Sequence, residues 1–322
     1  MPRPGVLITR TIPASVIDRL QAACDIDLYS GPTAIPPDEL KARLAGKQAL
    51  MCLLTDRIDA AVLDAGRGLR IVANIAVGFD NIDRAAAQAR RIVVTNTPDV
   101  LTEATADLTW GLILSITRRI PEGERMVRRG EWKGWALDFL LGSDLRGKQL
   151  GVVGFGRIGQ RVAARAGAFG MNVVYTTLDA DAPGDGAGVP GAVRVPFDRL
   201  LTTSDVISCH VPLTPETRHL FDGPAIGRMK RGAYLVNTSR GPVIDEAALA
   251  VALRERVIAG AALDVYEREP VIHADLYALE NVVLAPHIGS ATVETRTAMA
   301  DLAARNVLAV LAGKPPITPV SP

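Results

Sequence analysis

The sequence has few cysteines, no excess of either charge and no long apolar run. Its cysteines, Cys24, Cys52 and Cys209, lie far apart within apolar stretches, which predicts buried thiols in a reducing compartment and neither a disulfide framework nor a metal site. Lysine and arginine total 36 against 35 acidic residues, for a net charge of +1, so there is no electrostatic footprint for nucleic acid or a membrane. No apolar run reaches the length of about 18 residues that a membrane span needs, and the N-terminus has no leader pattern. We therefore expect a soluble cytoplasmic protein.

The most informative stretch runs from residue 148 to residue 171. The apolar run Leu150–Val153 leads into Gly154, Gly156 and Gly159, and a helical pattern and a second β-rich run follow. In this context the first glycine makes a tight turn, the second lets the backbone approach a pyrophosphate, and the third allows close packing of helix on strand. The helix N-terminus offers free N–H groups to the phosphates. The stretch predicts dinucleotide binding, and the alternative is a glycine-rich turn that only packs.

Alternating strand and helix patterns surround this stretch, in a chain whose 322 residues suggest about two domains. Before it, the predicted strands are Gly5–Thr9, Asp25–Tyr29, Ala49–Leu54, Arg70–Ile75 and Ile92–Thr95, with helices at 13–23, 37–45, 59–65 and 81–89. After it, the predicted strands are Asn172–Thr177, Asp205–Cys209, Ala233–Asn237, Gly260–Val265 and Asn281–Ala285, with helices at about 198–203, 245–256 and 290–312 and an extended tail at 314–322. The order predicts an α/β protein with doubly wound parallel sheets covered by helices on both faces.

Two turns in the first half follow predicted strands, at Leu53–Asp56 and Asn74–Asp83. Ligands of α/β sheets bind at such carboxyl ends, and Gly78 would let backbone N–H groups face an anion. The alternative is a plain strand-to-helix turn with Asp80 or Asn81 as the N-cap. From the local sequence alone, this alternative is favoured.

A helical segment separates the two halves. Thr102–Arg119 is predicted as one long apolar helix, and the amphipathic stretch 121–130 precedes Trp132 and Trp135. An apolar helical arm with exposed tryptophan is typical of a protein interface. The alternative is packing of this arm against its own domain.

Chemically active side chains follow the late strands. Arg240 and His287 each follow one, Asp264 ends the strand between them, and Glu267 and Glu269 come shortly after it. A guanidinium can hold the carboxylate and carbonyl of a 2-oxo acid, and a histidinium can donate a proton to the alkoxide that hydride addition creates. A neighbouring carboxylate would favour the charged imidazole and fix its orientation.

Simpler readings exist for each of these residues. Arg240 could pair with a cofactor phosphate, and both glutamates could be solvated. His210, which also follows a strand, could only line the cofactor cleft. His219 and His273 lie in loop-like stretches and are expected at the surface.

A set of motifs then matches one family over nearly the whole chain. The chain resembles the D-isomer-specific 2-hydroxyacid dehydrogenases, and within them the glyoxylate/hydroxypyruvate reductases. The matching motifs are residues 55–59, 77–83, 154–159, 211–214, 236–241, 262–270 and 286–292.

The resemblance implies a flavodoxin-like substrate domain, formed by residues 1–100 and 288–322, into which a Rossmann cofactor domain is inserted. That inserted domain spans residues 101–287, and its helices at about 102–143 would form the arm of a homodimer. Trp135 would reach from this arm into the neighbouring subunit's active site and favour small substrates.

The resemblance also implies site residues. Arg240 would bind and polarise the 2-oxo acid, and His287 would be the acid/base, with Glu269 rather than Glu267 as its partner. The implied substrate-binding residues are Leu54, Val77, Gly78, Trp135 and Arg240. The implied cofactor-binding residues are Thr105, Gly154, Phe155, Gly156, Arg157, Ile158, Gly159, Thr177, His210, Val211, Pro212, Thr217, Thr238, Ser239, Arg240, Asp264, His287, Gly289 and Ser290.

One departure bears on the choice of cofactor. The acid that binds the adenosine ribose in NAD enzymes should end the second strand of the Rossmann unit, and this chain has Thr177 there. Asp179 could substitute only if its loop bends back, and the arginine usual in NADP-using relatives is missing from this point. Because the loss of a carboxylate removes repulsion of a 2′-phosphate, we expect NADP, with NAD as the alternative.

The sequence therefore predicts an NAD(P)H-dependent reductase of small 2-oxo acids, with glyoxylate and hydroxypyruvate as leading substrates and D-2-hydroxy acids as products. Two other functions stay open. One is an NAD(H)-sensing binding protein like the corepressors that share this fold. The other is a D-2-hydroxyacid dehydrogenase for a larger substrate.

Overall fold

The computed structural model describes residues 3–177 and 188–320. The chain divides into two compact units, a terminal unit of Met1–Leu101 with Ser290–Pro322 and a central unit of Thr102–Gly289. The strands are β1 Gly5–Ile8, β2 Asp25–Leu28, β3 Ala49–Cys52, β4 Ile71–Asn74, β5 Val93–Thr95, β6 Gln149–Val153, β7 Asn172–Thr176, β8 Val193–Arg194, β9 Val206–Cys209, β10 Tyr234–Asn237, β11 Gly260–Leu263 and β12 Val282–Leu284. The helices are α1 Ala14–Gln21, α2 Pro37–Leu44, α3 Ala60–Ala65, α4 Arg84–Ala89, α5 Thr102–Thr117, α6 Ile120–Arg128, α7 Arg157–Ala166, α8 Phe197–Thr203, α9 Gly223–Gly227, α10 Glu246–Arg254 and α11 Val293–Leu311.

The terminal unit contains a five-stranded parallel sheet in the order β2-β1-β3-β4-β5. All residues of β3 and β4 are buried, as expected for parallel strands covered by helices on both faces. This is the flavodoxin-like order, and the fold prediction is confirmed. The C-terminal segment is extended and covers the edge of β5, because the Val320 N–H donates to the Val94 carbonyl at 2.9 Å.

The predicted N-cap of the fourth helix was wrong. Neither Asp80 nor Asn81 caps α4; the side chain of Asp83 does, by accepting from the Ala86 N–H at 2.9 Å. The Asn81 amide instead donates to backbone carbonyls of the preceding loop, those of Leu53 and Asp56. The turn between β4 and α4 is therefore longer than the sequence pattern indicated.

The central unit contains a seven-stranded sheet in the order β12-β11-β10-β9-β6-β7-β8, with every pairing parallel. The strand order reverses between β6 and β9, which is the switch point at which Rossmann sheets bind dinucleotides. Each face of the sheet has its own core: Leu235 packs with Leu249 and Leu253 of α10, and Val236 packs with Ile113 of α5. Two short elements, β8 and α9, were not predicted.

The long helix predicted over Thr102–Arg119 corresponds to α5, which ends at Thr117, and the amphipathic stretch predicted at 121–130 corresponds to α6. Arg119 adopts a left-handed backbone conformation with φ 53°, and this residue separates α5 from α6. All three cysteines are buried free thiols, as predicted. Within the described residues, no helix combines the length and the apolar content that crossing a membrane requires.

Candidate active site

The glycine turn after β6 has the shape that a bound pyrophosphate needs. Gly154 has φ +93°, and a Cβ there would lie 2.6 Å from the carbonyl carbon of His210. A Cβ on Gly159 would overlap the Gly154 carbonyl, so this glycine lets α7 pack on the turn. Gly156 differs, because a Cβ on it would meet nothing within 4 Å. The turn is therefore tight where the chain packs on itself and open at Gly156, where a pyrophosphate would approach.

The N-terminus of α7 completes this cradle. Gly156 is the N-cap, and no side chain of the described residues caps the helix. The first N–H groups of a helix have no partner within the helix, so the start of α7 can offer donors to phosphate oxygens. The residues present fit a dinucleotide.

The loop after β9 lies against the glycine turn and carries His210, Val211 and Pro212. Its start is fixed by the His210 N–H, which donates to the Val153 carbonyl at 2.7 Å. Burial lowers the pKa of His210 to about 3, so this imidazole is neutral at physiological pH and is no proton donor. Thr217 is fully buried, and its hydroxyl donates to the Pro212 carbonyl at 2.7 Å. Thr217 therefore supports this loop from within.

Two further predicted cofactor residues lie near the second strand of the unit. Phe155 is buried and stacks on Tyr175 of β7, with ring centroids 3.7 Å apart. Thr177 directly follows β7, at the position where NAD enzymes carry a ribose-binding acid. Asp179 lies outside the described residues.

The end of β10 presents Arg240 through a buried asparagine that the sequence had not singled out. Asn237 accepts from the Ser239 N–H at 2.9 Å and donates to the Arg240 carbonyl at 2.9 Å. The Ser239 hydroxyl also donates to Asn237, at 2.8 Å. Beside them, the Thr238 hydroxyl lies 2.9 Å from that of Thr109 on α5. The loop that carries Arg240 is therefore fixed from inside the sheet.

Gly241 brings this loop against the segment that follows β11. A Cβ on Gly241 would overlap the carbonyl group of Tyr266 and lie 2.5 Å from the Glu267 nitrogen. Only glycine permits backbones to approach this closely. Arg240 is consequently held beside the segment that contains Glu269.

Glu269 and His287 form a hydrogen-bonded pair. The Nδ1 atom of His287 lies 2.8 Å from Oε2 of Glu269, and the two side chains are 29% and 28% exposed. The other carboxylate oxygen of Glu269 accepts from the Tyr266 N–H at 3.1 Å. The pair is thus oriented and still open to a ligand.

Glu267 belongs to a different pair. Its Oε1 lies 3.0 Å from Nε2 of His219. His219 was expected at the solvated surface, but its side chain is only 33% exposed and faces this carboxylate. The structure therefore brings His287 to Glu269 and not to Glu267.

Asp264 fixes the backbone that follows His287. Its two carboxylate oxygens accept from the N–H groups of Ile288 at 2.7 Å and Gly289 at 2.8 Å. Burial raises the pKa of Asp264, against the opposing effect of these hydrogen bonds. A Cβ on Gly289 would meet Asp264 at 3.3 Å and Thr105 at 3.5 Å, so these three predicted cofactor residues lie together.

Three other predicted substrate-binding residues, Leu54, Val77 and Gly78, belong to the terminal unit. The Asn96 amide donates to the Val77 carbonyl at 2.7 Å, and the Asn74 amide donates to the Gly78 carbonyl at 2.8 Å. The N–H groups of Val77 and Gly78 have no hydrogen-bond partner among the described residues. Leu54 lies in the loop after β3 and is 37% exposed. Ser290, a predicted cofactor residue, also belongs to this unit.

The arm around α6 exposes large apolar side chains. Trp135 is 79% exposed and Leu137 is 82% exposed. Met126, Val127, Trp132, Trp135 and Phe139 line an apolar cavity of about 280 Å³. A contiguous apolar surface of this kind marks an interaction site more often than a monomer surface.

A glycine turn open to a pyrophosphate, and an accessible His–Glu pair on a segment that packs against the loop of Arg240, are features of an NAD(P)-dependent oxidoreductase. Comparison with known proteins agrees. Residues 110–289 match the family described as D-isomer specific 2-hydroxyacid dehydrogenase, NAD binding domain. The chain is 47% identical to a glyoxylate reductase of Thermofilum pendens over 98% of this chain and 94% of that protein. It is 48% identical to a glyoxylate reductase of Thermococcus litoralis over 98% and 96%.

Solved structures extend the likeness. A protein of Thermus thermophilus superposes with a TM-score of 0.92 at 47% identity, over 98% of this chain and 100% of that chain. An NADPH-dependent glyoxylate/hydroxypyruvate reductase of Sinorhizobium meliloti, solved with NADP and malonate, gives a TM-score of 0.88 at 35% identity, over 99% and 97%. The chain belongs to the D-isomer specific 2-hydroxyacid dehydrogenase family, and its cofactor is NAD or NADP. The resemblance noted from the sequence motifs is confirmed.

Proposed function

We propose that this protein reduces glyoxylate to glycolate and hydroxypyruvate to the D isomer of its 2-hydroxy acid, with NADPH preferred over NADH. The observation that carries the proposal is the His287–Glu269 pair, at 2.8 Å, in the same unit as a glycine turn open to a pyrophosphate. Relatives named glyoxylate reductase, at 47% and 48% identity, support the choice of substrate.

The residues divide the reaction between them. Arg240 binds the substrate carboxylate and polarises the C2 carbonyl with its fork of N–H donors. When bound, the reduced nicotinamide supplies the hydride that C2 accepts. His287 donates its proton to the developing alkoxide, so that the 2-hydroxy acid leaves neutral at that oxygen. Glu269 fixes the direction of the imidazole through the 2.8 Å contact with its Nδ1 atom.

The Val77–Gly78 turn supports binding of a carboxylate in the terminal unit. Its two carbonyls are occupied by asparagine amides, while its N–H groups are left without partners among the described residues. Backbone N–H groups held in this way bind anions. We assign the turn to the carboxylate of the 2-oxo acid, with Leu54 as an apolar neighbour in substrate binding.

Thr177 supports the preference for NADPH. A carboxylate at this position would bind the two ribose hydroxyls of NADH and repel a 2′-phosphate. Threonine does neither, so the position itself accommodates NADPH.

The exposed arm supports a homodimer. In this dimer, Trp135 of each subunit would reach into the active site of the partner. Leu137→Asp tests this, with Val293→Asp as control, since both side chains are 82% exposed. Light scattering is expected to show a monomer only for Leu137→Asp. A dimer that survives this change would contradict an interface on the arm.

Oxidation of NADPH and NADH with glyoxylate, hydroxypyruvate and pyruvate tests the reaction. We expect fast turnover of the first two, with the higher kcat/KM for NADPH. A higher kcat/KM with NADH would leave the proposed reaction intact but would contradict the proposed preference for NADPH. A protein that binds the cofactor but turns over none of the three would contradict the proposal, and would indicate a larger substrate or an NAD(H)-sensing role.

The second His–Glu pair of the chain provides a matched control for the roles. His287→Asn is expected to lower kcat roughly 10²–10⁴-fold, the usual contribution of a general acid, without loss of cofactor affinity. His219→Asn, which alters the 3.0 Å pair with Glu267, is expected to retain most activity. Equal losses in the two variants would refute the assignment of the acid to His287.

A further inference from the structure

Tyr266 touches all three segments that carry the proposed reactive residues. It is buried, and its hydroxyl donates to the Ala285 carbonyl at 2.8 Å, two residues before His287. Its N–H donates to Glu269 at 3.1 Å. Its own carbonyl group lies against Gly241, the neighbour of Arg240. Two of these contacts come from the backbone, and only the hydroxyl depends on the residue being tyrosine.

The hydroxyl acts on a turn whose conformation is unfavourable by itself. His287 has φ 52°, in the left-handed region that is unfavourable for a residue other than glycine. The Ala285 carbonyl accepts from the His287 N–H at 3.2 Å as well as from Tyr266. Asp264 holds the other side of the turn through Ile288 and Gly289. The turn is therefore held at both ends.

The Tyr266 hydroxyl stays protonated and therefore remains a hydrogen-bond donor. Burial, and then the nearby carboxylates of Asp264 and Glu246, raise the pKa of Tyr266 well above its ordinary value. The phenol consequently keeps its proton, and its hydrogen bond, throughout the pH range in which a histidine acid operates.

We propose that the Tyr266 hydroxyl is a positioning group for the proton donor, which sets the direction of His287 through the Ala285 carbonyl. This inference rests on the proposed acid role of His287. A displaced acid slows proton donation more than it weakens binding, because near-attack geometry is lost while the cofactor contacts remain.

Tyr266→Phe and Tyr234→Phe form a matched pair of variants. Tyr234 is also buried in the central unit, and its hydroxyl bonds to that of Ser143 at 2.9 Å, at the start of β10 and away from the strand ends that carry the site. Tyr234→Phe removes its bond to Ser143, and Tyr266→Phe removes the bond to Ala285 together with a longer contact, at 3.3 Å, with the Leu263 carbonyl. Each change is expected to lower stability modestly. We therefore expect both variants to lose stability, so this loss by itself does not indicate a positioning role.

Two readouts separate positioning from stability. In Tyr266→Phe we expect kcat for glyoxylate to fall by about ten-fold, with a larger solvent isotope effect and an unchanged cofactor Kd. We also expect faster hydrogen exchange of the amides at 285–289 in the cofactor complex. Tyr234→Phe is expected to show neither effect.

The outcomes are decisive for each claim separately. If the wild-type protein turns over glyoxylate and Tyr266→Phe matches Tyr234→Phe in kcat, the positioning role is overturned. Exchange at 285–289 that is equal in the two variants also overturns it, whatever the activity. Absence of wild-type turnover with every 2-oxo acid refutes the proposed function, and the exchange measurement still decides whether the hydroxyl fixes the turn.

Discussion

Gly241→Ala is the substitution whose effect follows most directly from the geometry. The added methyl group would overlap the Tyr266 carbonyl group and lie 2.5 Å from the Glu267 nitrogen, where ordinary contact begins at 3.4 Å. All these neighbours are backbone atoms, so no side chain can rotate away. One of the two segments must move by about 1 Å to relieve the overlap. Either movement separates Arg240 from the segment that carries Glu269.

A displacement of about 1 Å between reacting groups costs on the order of 10²-fold in rate, or about 2.7 kcal/mol of activation free energy. We therefore expect kcat/KM for glyoxylate to fall by about that factor in Gly241→Ala, with cofactor affinity retained. The glycine turn that faces the pyrophosphate lies on other elements, which is why binding should survive. Steady-state kinetics and a fluorescence titration of NADPH measure the two quantities.

Gly227→Ala is the control for this substitution. A Cβ at Gly227 meets nothing within 4 Å, so the variant should keep its activity and gain about 0.4–1 kcal/mol of stability at most. Circular dichroism shows whether both variants are folded. Wild-type kcat/KM in folded Gly241→Ala would refute the reasoning, because the two segments would then move without consequence for the reaction.

Three other outcomes are expected. Glu269→Gln should lower kcat by about ten-fold or more, because an amide holds His287 less firmly than the carboxylate that lies 2.8 Å from its Nδ1; Glu267→Gln, measured in the same steady-state assay, should not. Gly156→Val fills space that is open in the structure and should abolish measurable NADPH binding in a fluorescence titration, so retained binding would contradict the cradle. Burial raises the pKa of Asp56, so the folded chain binds the carboxyl proton more tightly than the unfolded chain does. The stability that Asp56 contributes is therefore greatest at low pH and is lost as the pH rises through the raised pKa. Asp56→Asn should remove this contribution, and denaturant unfolding that shows a constant difference from wild type between acid and neutral pH would argue against it.

Features that depend on local backbone constraints could be predicted from the sequence. The glycine turn is an example, because Gly154 has a φ of +93° that favours glycine, and Gly159 lies against Gly154 and Val152, only a few residues away. The alternation of apolar strands with helices predicted both parallel sheets, since burial on two faces demands continuous apolar runs. Short stretches of chain determine these patterns, so the patterns can be recognised from the sequence.

Features that depend on tertiary contacts escaped prediction. The strand β8 has only two residues and exists because it pairs with β7. The N-cap at Asp83 could not be distinguished from Asp80 or Asn81, because Asn81 is used by the neighbouring loop instead. No sequence pattern marks a residue whose partner lies in another loop.

The same distinction applies within the candidate site. Strand ends and family motifs pointed to the residues that carry charge or protons, but not to those that hold them. Asn237 contacts backbone groups of Ser239 and Arg240 in the loop that follows it, at 2.9 Å, and the Tyr266 hydroxyl contacts the Ala285 carbonyl of another loop at 2.8 Å. Both residue types are common in strands and loops. A candidate positioning residue therefore has to be found from contacts.

Strand order explains why these contacts can form at all. β10, β11 and β12 are consecutive neighbours in the sheet, and parallel strands lie about 4.8 Å apart, so three adjacent carboxyl ends span only about 10 Å. Arg240 follows the first strand, Glu269 the second and His287 the third. At that spacing the loops must touch, and Gly241 and Tyr266 are two of the residues at which they do. The sheet thus brings the loops of Arg240, Glu269 and His287 together, and the contacts of Gly241 and of the Tyr266 hydroxyl fix how these loops pack.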